Sequence, residues 1–209
     1  MRAIALTGRI GAGKSTIARI LRERGAATID ADMIVRDLYR DDGALRAILR
    51  DRFGDGVLLP GDVNRAALGA IVFRDDAARR DLEAIVHPRV HTREAEFLGM
   101  ARARGTSVAA IEAIKVVESG GADLCDELWI VECDDATAIA RLAARGMAAD
   151  EAARRLASQG RVVTWVARFT SDSARLGRPR AVVVIDNSGT TAQAAAQVAA
   201  LTAELDPPA

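Results

Sequence analysis

The chain opens on an apolar run, Ala3-Ile4-Ala5-Leu6, that stops at Thr7 and a set of glycines. A run this short, bounded by glycine, predicts a strand over Arg2 to Leu6. From Ser15 to Arg24 the period changes. Ile17, Ile20 and Leu21 share one helical face, and Gly25 stands where a helix C-cap belongs. Ala26 to Ile29 predicts a second strand, ending at Asp30-Ala31-Asp32. Strand, loop, helix, strand is the first unit of a parallel α/β sheet.

From Ile34 to about Gly105 the pattern is helical throughout. Asn64 is placed to N-cap a helix over Arg65 to Phe73. Asp75 and Asp76 begin another that runs to Val86, and Pro88 suits the first turn of the next, where its missing N–H costs nothing. Strands follow at Ser107 to Ile111 and Leu128 to Val131, with Glu118-Ser119-Gly120-Gly121 as a turn between them. Helices are expected over Ala136 to Arg145 and Ala148 to Ser158. Ala181 to Ile185 reads as a Val-rich strand of the kind buried in a parallel sheet. Thr190 to Leu205 is the closing helix, and Asp206 to Ala209 a tail. Gly160 to Arg180 mixes Val162, Val163, Trp165 and Phe169 with five arginines. It suits either a short strand with a loop or a mobile flap.

No repeat or low-complexity linker divides the 209 residues, which fit a single domain. A formal net charge of zero with 50% hydrophobic residues excludes a nucleic-acid binder working by bulk charge, and also a disordered chain. Aromatics are 3%, so the core is expected to be Ala, Val, Leu and Ile. Cys125 and Cys133 have neither a C-x-x-C spacing nor a His partner, and read as buried, reduced thiols of a cytoplasmic protein. No apolar run approaches the roughly 20 residues of a membrane span, and the N-terminus reads as a strand entering a loop, not a signal peptide. His87 and His91 are four apart, but no third residue completes a metal site.

The chemistry is carried by Gly8-Arg9-Ile10-Gly11-Ala12-Gly13-Lys14-Ser15, a match to G-x-x-x-x-G-K-[ST] between a strand and a helix. Glycines let the main chain curl around phosphate oxygens and offer them N–H groups, and the helix beginning near Lys14 turns its positive end toward them. Lys14 adds a charge at the β- and γ-phosphates, and Ser15 a hydroxyl for Mg2+. The nucleotide site is therefore the main chain of Gly11, Ala12, Gly13, Lys14, Ser15 and Thr16. Arg9 either adds a phosphate contact or is solvated.

With further motifs the chain resembles the dephospho-CoA kinase family. Ile29-Asp30-Ala31-Asp32, the run Arg52 to Leu58, the run Arg65 to Phe73, Leu82-Glu83-Ala84-Ile85-Val86-His87-Pro88, and Val184 to Gly189 occur in the family's order. The resemblance implies a three-layer P-loop kinase with a parallel β-sheet flanked by helices. It implies a helical acceptor-binding region over about 33–105 and a lid over about 145–175. It implies ATP and dephospho-CoA as substrates, with Mg2+. Asp32 is then the general base, with a helix N-cap as its alternative or additional role. Arg36, His87 and Pro88 lie on the acceptor side. Arg145 closes over the ATP phosphates or simply ends its helix, and Asn187 and Gly189 lie beside the adenine or form a turn. The chain departs from the family at Arg9, where glycine is usual, and at Glu112 to Glu118, where D-I-P-L-L-F-E is usual. Arg145-Gly146 replaces the usual R-D.

Other nucleotide proteins fit less well. A GTPase switch needs N-K-x-D, and no lysine here follows Asn. Ser119-Gly120-Gly121 hints at an ABC-type ATPase, but a turn accounts for it. A kinase for another hydroxyl, nucleoside or shikimate-like, is the enzymatic alternative; phosphate acceptance by Arg36, Arg52 or Arg65 suits either kind of substrate. A degenerate nucleotide-binding module is the non-enzymatic one. The expected assembly is a monomer or small homo-oligomer, with no nucleic-acid or membrane partner.

Overall fold

The computed structural model describes residues 1–159 and 162–205; Gly160, Arg161 and the Asp206–Ala209 tail lie outside the described residues. The chain divides into two compact units, Met1–Ile29 with the chain from Phe97 on, and Asp30–Glu96. The first unit starts with β1 (Arg2–Thr7), α1 (Lys14–Glu23) and β2 (Ala27–Asp30). The second holds α2 (Ala31–Asp41), α3 (Gly43–Phe53), a hairpin of β3 (Leu58–Leu59) and β4 (Asp62–Val63), α4 (Arg65–Arg74) and most of α5 (Asp76–Ala103). The first unit resumes with β5 (Val108–Glu112), β6 (Glu127–Glu132), α6 (Asp135–Ala143), α7 (Ala149–Ser158), α8 (Val162–Arg175), β7 (Ala181–Asp186) and α9 (Thr191–Leu201).

The first unit is a three-layer α/β fold on a five-stranded parallel sheet of order β2-β5-β1-β6-β7. β1 is central, in parallel register with β5 and β6. Its side chains alternate between the two faces, as a strand requires. Ile4 and Leu6 join Ile17, Leu21, Trp129 and Val198 on one face. Ala3 and Ala5 join Ala109, Leu128, Trp165 and Phe169 on the other. Small strand residues face large helical ones there, so the aromatic rings of α8 seat directly on the sheet. Although the aromatics are few, Trp129, Trp165 and Phe169 are the largest fully buried side chains. The core is therefore not only aliphatic.

The segment around Trp165 is a helix, neither strand nor flap. Trp165 and Phe169 lie four apart and so share a face. Arg180 closes this arrangement from below. Its guanidinium lies 3.8 Å from the centroid of Phe169 and donates to the carbonyls of Ala122 and Phe169 at 2.9 Å each. Arg178 donates to the carbonyls of Asp123 and Cys125 at 2.8 and 2.9 Å. Two of the arginines that obscured this segment are thus its fasteners.

Four further expectations change. The helical stretch after Ile34 is interrupted by the β3–β4 hairpin, where Pro60 and Gly61 turn the chain and Gly61 takes φ 77°. Pro88 lies inside α5 and does not begin a helix. The helix runs through it without the bond Pro88 cannot donate, and the Thr92 hydroxyl donates to the Pro88 carbonyl at 3.0 Å. The Val-rich β7 is an edge strand with Val184 half exposed, because no strand lies beyond it. The closing helix ends at Leu201 and a 3-10 turn, Ala203–Leu205, follows. No described helix is long and apolar enough to cross a membrane.

In the second unit Asn64 caps α4 as expected, its side chain accepting from the Ala67 N–H at 3.1 Å. Glu94 of α5 is buried with one carboxylate oxygen lacking any partner among the described residues. Burial pushes its carboxyl up from 4.5 to about 7. The unfolded chain gives up this proton first as pH rises, so the group costs stability progressively between those two values. Glu94→Gln is expected to raise stability on the order of 3 kcal/mol at pH 8 and to change little at pH 4.5. Urea unfolding of both proteins at the two pH values checks this. Parallel pH dependence in the two would remove the buried acid.

Candidate active site

The glycine loop leaves the C-terminal end of β1 and enters α1. Gly8 takes φ 153°, and a Cβ there would stand 2.3 Å from the Val131 carbonyl oxygen, so the loop can approach β6 only with glycine. Gly13 takes φ 96°, and a Cβ there would stand 2.1 Å from the Asn187 side-chain nitrogen. The amides of Gly11, Gly13 and Ser15 donate to no acceptor among the described residues. Main-chain donors left open at a helix N-terminus form an anion site. Lys14 curls back over them, its ammonium donating to the carbonyls of Gly8 at 3.0 Å and Arg9 at 3.4 Å.

The outer side of the loop is tied to the rest of the unit. Asn187, buried at the end of β7, donates to the Ala12 carbonyl at 2.7 Å. Arg141 of α6 donates to the carbonyls of Asn187 at 2.8 Å and Ala12 at 3.4 Å. The Gln159 side chain, just past α7, accepts from the Ile10 N–H at 2.7 Å. Arg9 pairs with the exposed Asp135 at the start of α6. Cys133 lies behind the loop, its thiol 3.9 Å from the Gly11 carbonyl oxygen, and burial holds its pKa up. It is not an activated nucleophile.

Ser15 donates to the Glu112 carboxylate at 2.8 Å. Glu112 ends β5 and is 8% exposed. A hydroxyl and a carboxylate held together beside an anion site are the hard oxygen donors that a small divalent cation takes. Arg145, beyond the end of α6, is exposed and makes none of the loop contacts, unlike Arg141 four residues earlier on α6. Gly189 is exposed, and Gln193 of α9 fills the space beside it.

In the second unit the N-cap of α2 is Asp30 and not Asp32. Asp30 is extended, and its carboxylate accepts from the Asp32 N–H at 2.8 Å. Asp32 is thereby released from capping. Its carboxylate is exposed and has no partner among the described residues. Arg36, one turn on, shares that exposed face and among the described residues its guanidinium touches only the Met33 sulfur, at 3.3 Å. Arg52 is committed to Asp81. His87 and His91 stack at 6.1 Å between centroids, and Pro88 between them is exposed. Among the described residues no three His, Cys, Asp or Glu gather as metal ligands.

Arg141 and Gln159 are residues at the loop that sequence reasoning did not single out, and Glu112 entered it only as a departure from the family pattern. Glu112 was visible as a carboxylate ending a strand and Arg141 as a partner four residues before Arg145. Nothing local marks Gln159.

Residues 2–193 match the model of the CoaE family, dephospho-CoA kinase. The dephospho-CoA kinase of Geobacter sulfurreducens is 40% identical over 192 residues, 91% of this chain and 91% of that protein. The crystal structure of TT1252 from Thermus thermophilus matches with a TM-score of 0.71 at 25% identity, over 99% of this chain and 98% of that one. The dephospho-CoA kinase from Campylobacter jejuni shares the fold, with a TM-score of 0.64 at 21% identity over 98% of each chain.

Removing the Asn187 side chain leaves the Ala12 carbonyl without its buried donor. Asn187→Ala is expected to cost about 1–3 kcal/mol of stability. It is also expected to weaken ATP binding, since the loop loses its tie to β7. Denaturant unfolding and nucleotide titration read the two effects. Unchanged nucleotide affinity would show that the tie does not shape the loop.

Proposed function

The chain belongs to the dephospho-CoA kinase family, and we propose that it transfers the γ-phosphoryl group of ATP to the ribose 3′-hydroxyl of dephospho-CoA, the last step in making coenzyme A. The observation that carries this reading is the open set of loop amides under the Lys14 ammonium, beside the Ser15–Glu112 pair. It supports binding of a triphosphate with its metal, while Asp32 is a carboxylate left free for a proton.

The Gly11 to Thr16 main chain and Lys14 hold the β- and γ-phosphates. On binding, Lys14 exchanges the Gly8 and Arg9 carbonyls for phosphate oxygens, a stronger charge-assisted bond. Mg2+ fits the Ser15 hydroxyl with Glu112 close by, and supplies neutralisation of charge on the phosphates when bound. Asp32, in the first turn of α2 directly after β2, takes the proton from the attacking 3′-oxygen. Arg36, His87 and Pro88 serve the acceptor. Arg141 lies on α6 and Arg145 in the turn that leads from it into the lid, and an arginine there stabilises charge in the transition state. Asn187 fixes the loop, and Gly189 lies in the turn beside it on the adenine side.

The lid assigned to about 145–175 narrows, in this reading, to 145–159, because α8 is seated on the sheet through Trp165 and Phe169. Its closure excludes water and limits futile ATP hydrolysis. The buried thiols of Cys125 and Cys133, not joined in a disulfide, suit the reducing cytoplasm. The protein acts as a monomer or small homo-oligomer.

Lys14→Ala is expected to abolish ATP-dependent formation of coenzyme A, measured by mass. Asp32→Asn is expected to keep ATP affinity and lose transfer by at least 100-fold, within the usual range for a general base. Normal turnover in Asp32→Asn would remove Asp32 from that role.

A further inference from the structure

The arginines of the second unit are mostly committed to carboxylates. Arg40 pairs with Asp37 and Asp41, Arg50 with Asp51, Arg79 with Asp76, Arg89 with Asp42 and Arg93 with Glu96. Arg46 donates to the carbonyls of Tyr39 and Arg40. Against this background four guanidiniums stand out, two of them, Arg74 and Arg80, with no hydrogen bond or ion pair among the described residues. Arg36 has only a sulfur contact, and Arg65, the first residue of α4, has no hydrogen bond or ion pair among the described residues.

Arg36 and Arg65 are the two of these that neighbour Tyr39. Arg36 and Tyr39 are three apart on α2 and so neighbours on its surface. α2 packs on β4, which leads through Asn64 into Arg65. The Arg65 charge acts on the Tyr39 phenol, opposing the upward push of burial. The Tyr39 ring is buried, and its hydroxyl bonds to no described residue. Tyr39 thus lies under the charge of Arg65 and three residues from Arg36 on one helix, and Asp32 stands one turn along that helix from Arg36.

We propose that Arg36 and Arg65 clamp the diphosphate of the acceptor, with Tyr39 between them as a further donor. The proposal rests on the reading of the acceptor as dephospho-CoA, whose adenosine carries a 5′-diphosphate bridge. One helical turn spans about 5.4 Å. A ribose 3′-oxygen stands a comparable distance from the phosphorus on its own 5′-oxygen. An acceptor that offers its 3′-hydroxyl to Asp32 therefore brings its nearer phosphate to Arg36 and its farther one toward Arg65. Planar guanidinium forks suit paired phosphate oxygens, and an arginine already paired with a carboxylate would have to break that pair first. Asp32 and Arg36, four apart on one face, form no ion pair with each other, so both remain available.

The test measures steady-state kinetics with dephospho-CoA and ATP for the wild type and for Arg65→Met, Arg36→Met, Arg65→Lys and Arg80→Met. Arg80, on α5, also lacks a carboxylate partner, but its charge does not act on Tyr39, and it serves as the control. The Met variants at 36 and 65 are expected to raise KM for dephospho-CoA about 10- to 100-fold with KM for ATP unchanged. Arg65→Lys, which keeps the charge but not the fork, is expected to fall between, and Arg80→Met to match the wild type. Arg65→Lys also carries the test if a Met variant fails to fold. A wild type that makes coenzyme A while the variants keep its KM overturns the clamp alone, as does a KM for ATP that rises in step. A wild type that makes no coenzyme A overturns the acceptor reading, and the clamp with it.

Discussion

A loop that binds phosphate through its own main chain must leave that main chain unpaired. The amides of Gly11, Gly13 and Ser15 meet this demand. Unpaired N–H groups do not hold a loop in shape, and a curled backbone with positive φ at Gly8, Gly11 and Gly13 has entropy to lose. The shape is therefore imposed from behind. Val131 of β6, Ala138 and Arg141 of α6, Gln159 after α7 and Asn187 after β7 each touch the loop. All of them lie more than a hundred residues further along the chain. The central position of β1 makes this possible, with β5 delivering Glu112 on one side and β6 delivering Val131 on the other.

The opposite face of the sheet supplies the rigidity that these ties need. Ala3, Ala5 and Ala109 present almost no side chain, and Trp165 and Phe169 fill the space they leave. Burying rings of this size contributes several kcal/mol each, more than any single polar tie at the loop. Arg180 is fully buried as a side chain, yet each of its nitrogens has an acceptor within 2.9 Å. That satisfies the condition for burying a charge. The same residue fixes the entry to β7, and so the height at which Asn187 reaches Ala12.

Much of this is legible in the residues because it is local. The glycine spacing, Lys14 and Ser15 specify a loop wherever they stand between strand and helix, and Asn64 announces its cap by position. Where two local signals compete, only tertiary contact decides. Val162, Val163 and Thr164 favour a strand, while Trp165 and Phe169 at a spacing of four favour a helix, and the alanines of β1 and β5 settle it. In Asp30-Ala31-Asp32 either carboxylate can cap, and the extended backbone at Asp30 gives it the task. Pro88 marks a helix start in isolation but is carried inside a long helix. β7 has a buried strand's composition, and strand order alone makes it an edge. Gln159 gives no sign at all, because its partner is a main-chain amide.

The placement of the indole and phenol side chains has an optical consequence. The chain has two tryptophans and one tyrosine. Trp129 and Trp165 are buried on opposite faces of one sheet, in one compact unit, and Tyr39 is in the other. Emission excited at long wavelength thus reports the nucleotide-loop unit alone, while the single phenol belongs to the helical unit. The nucleotide-loop unit thus carries its own optical probe, read without a label.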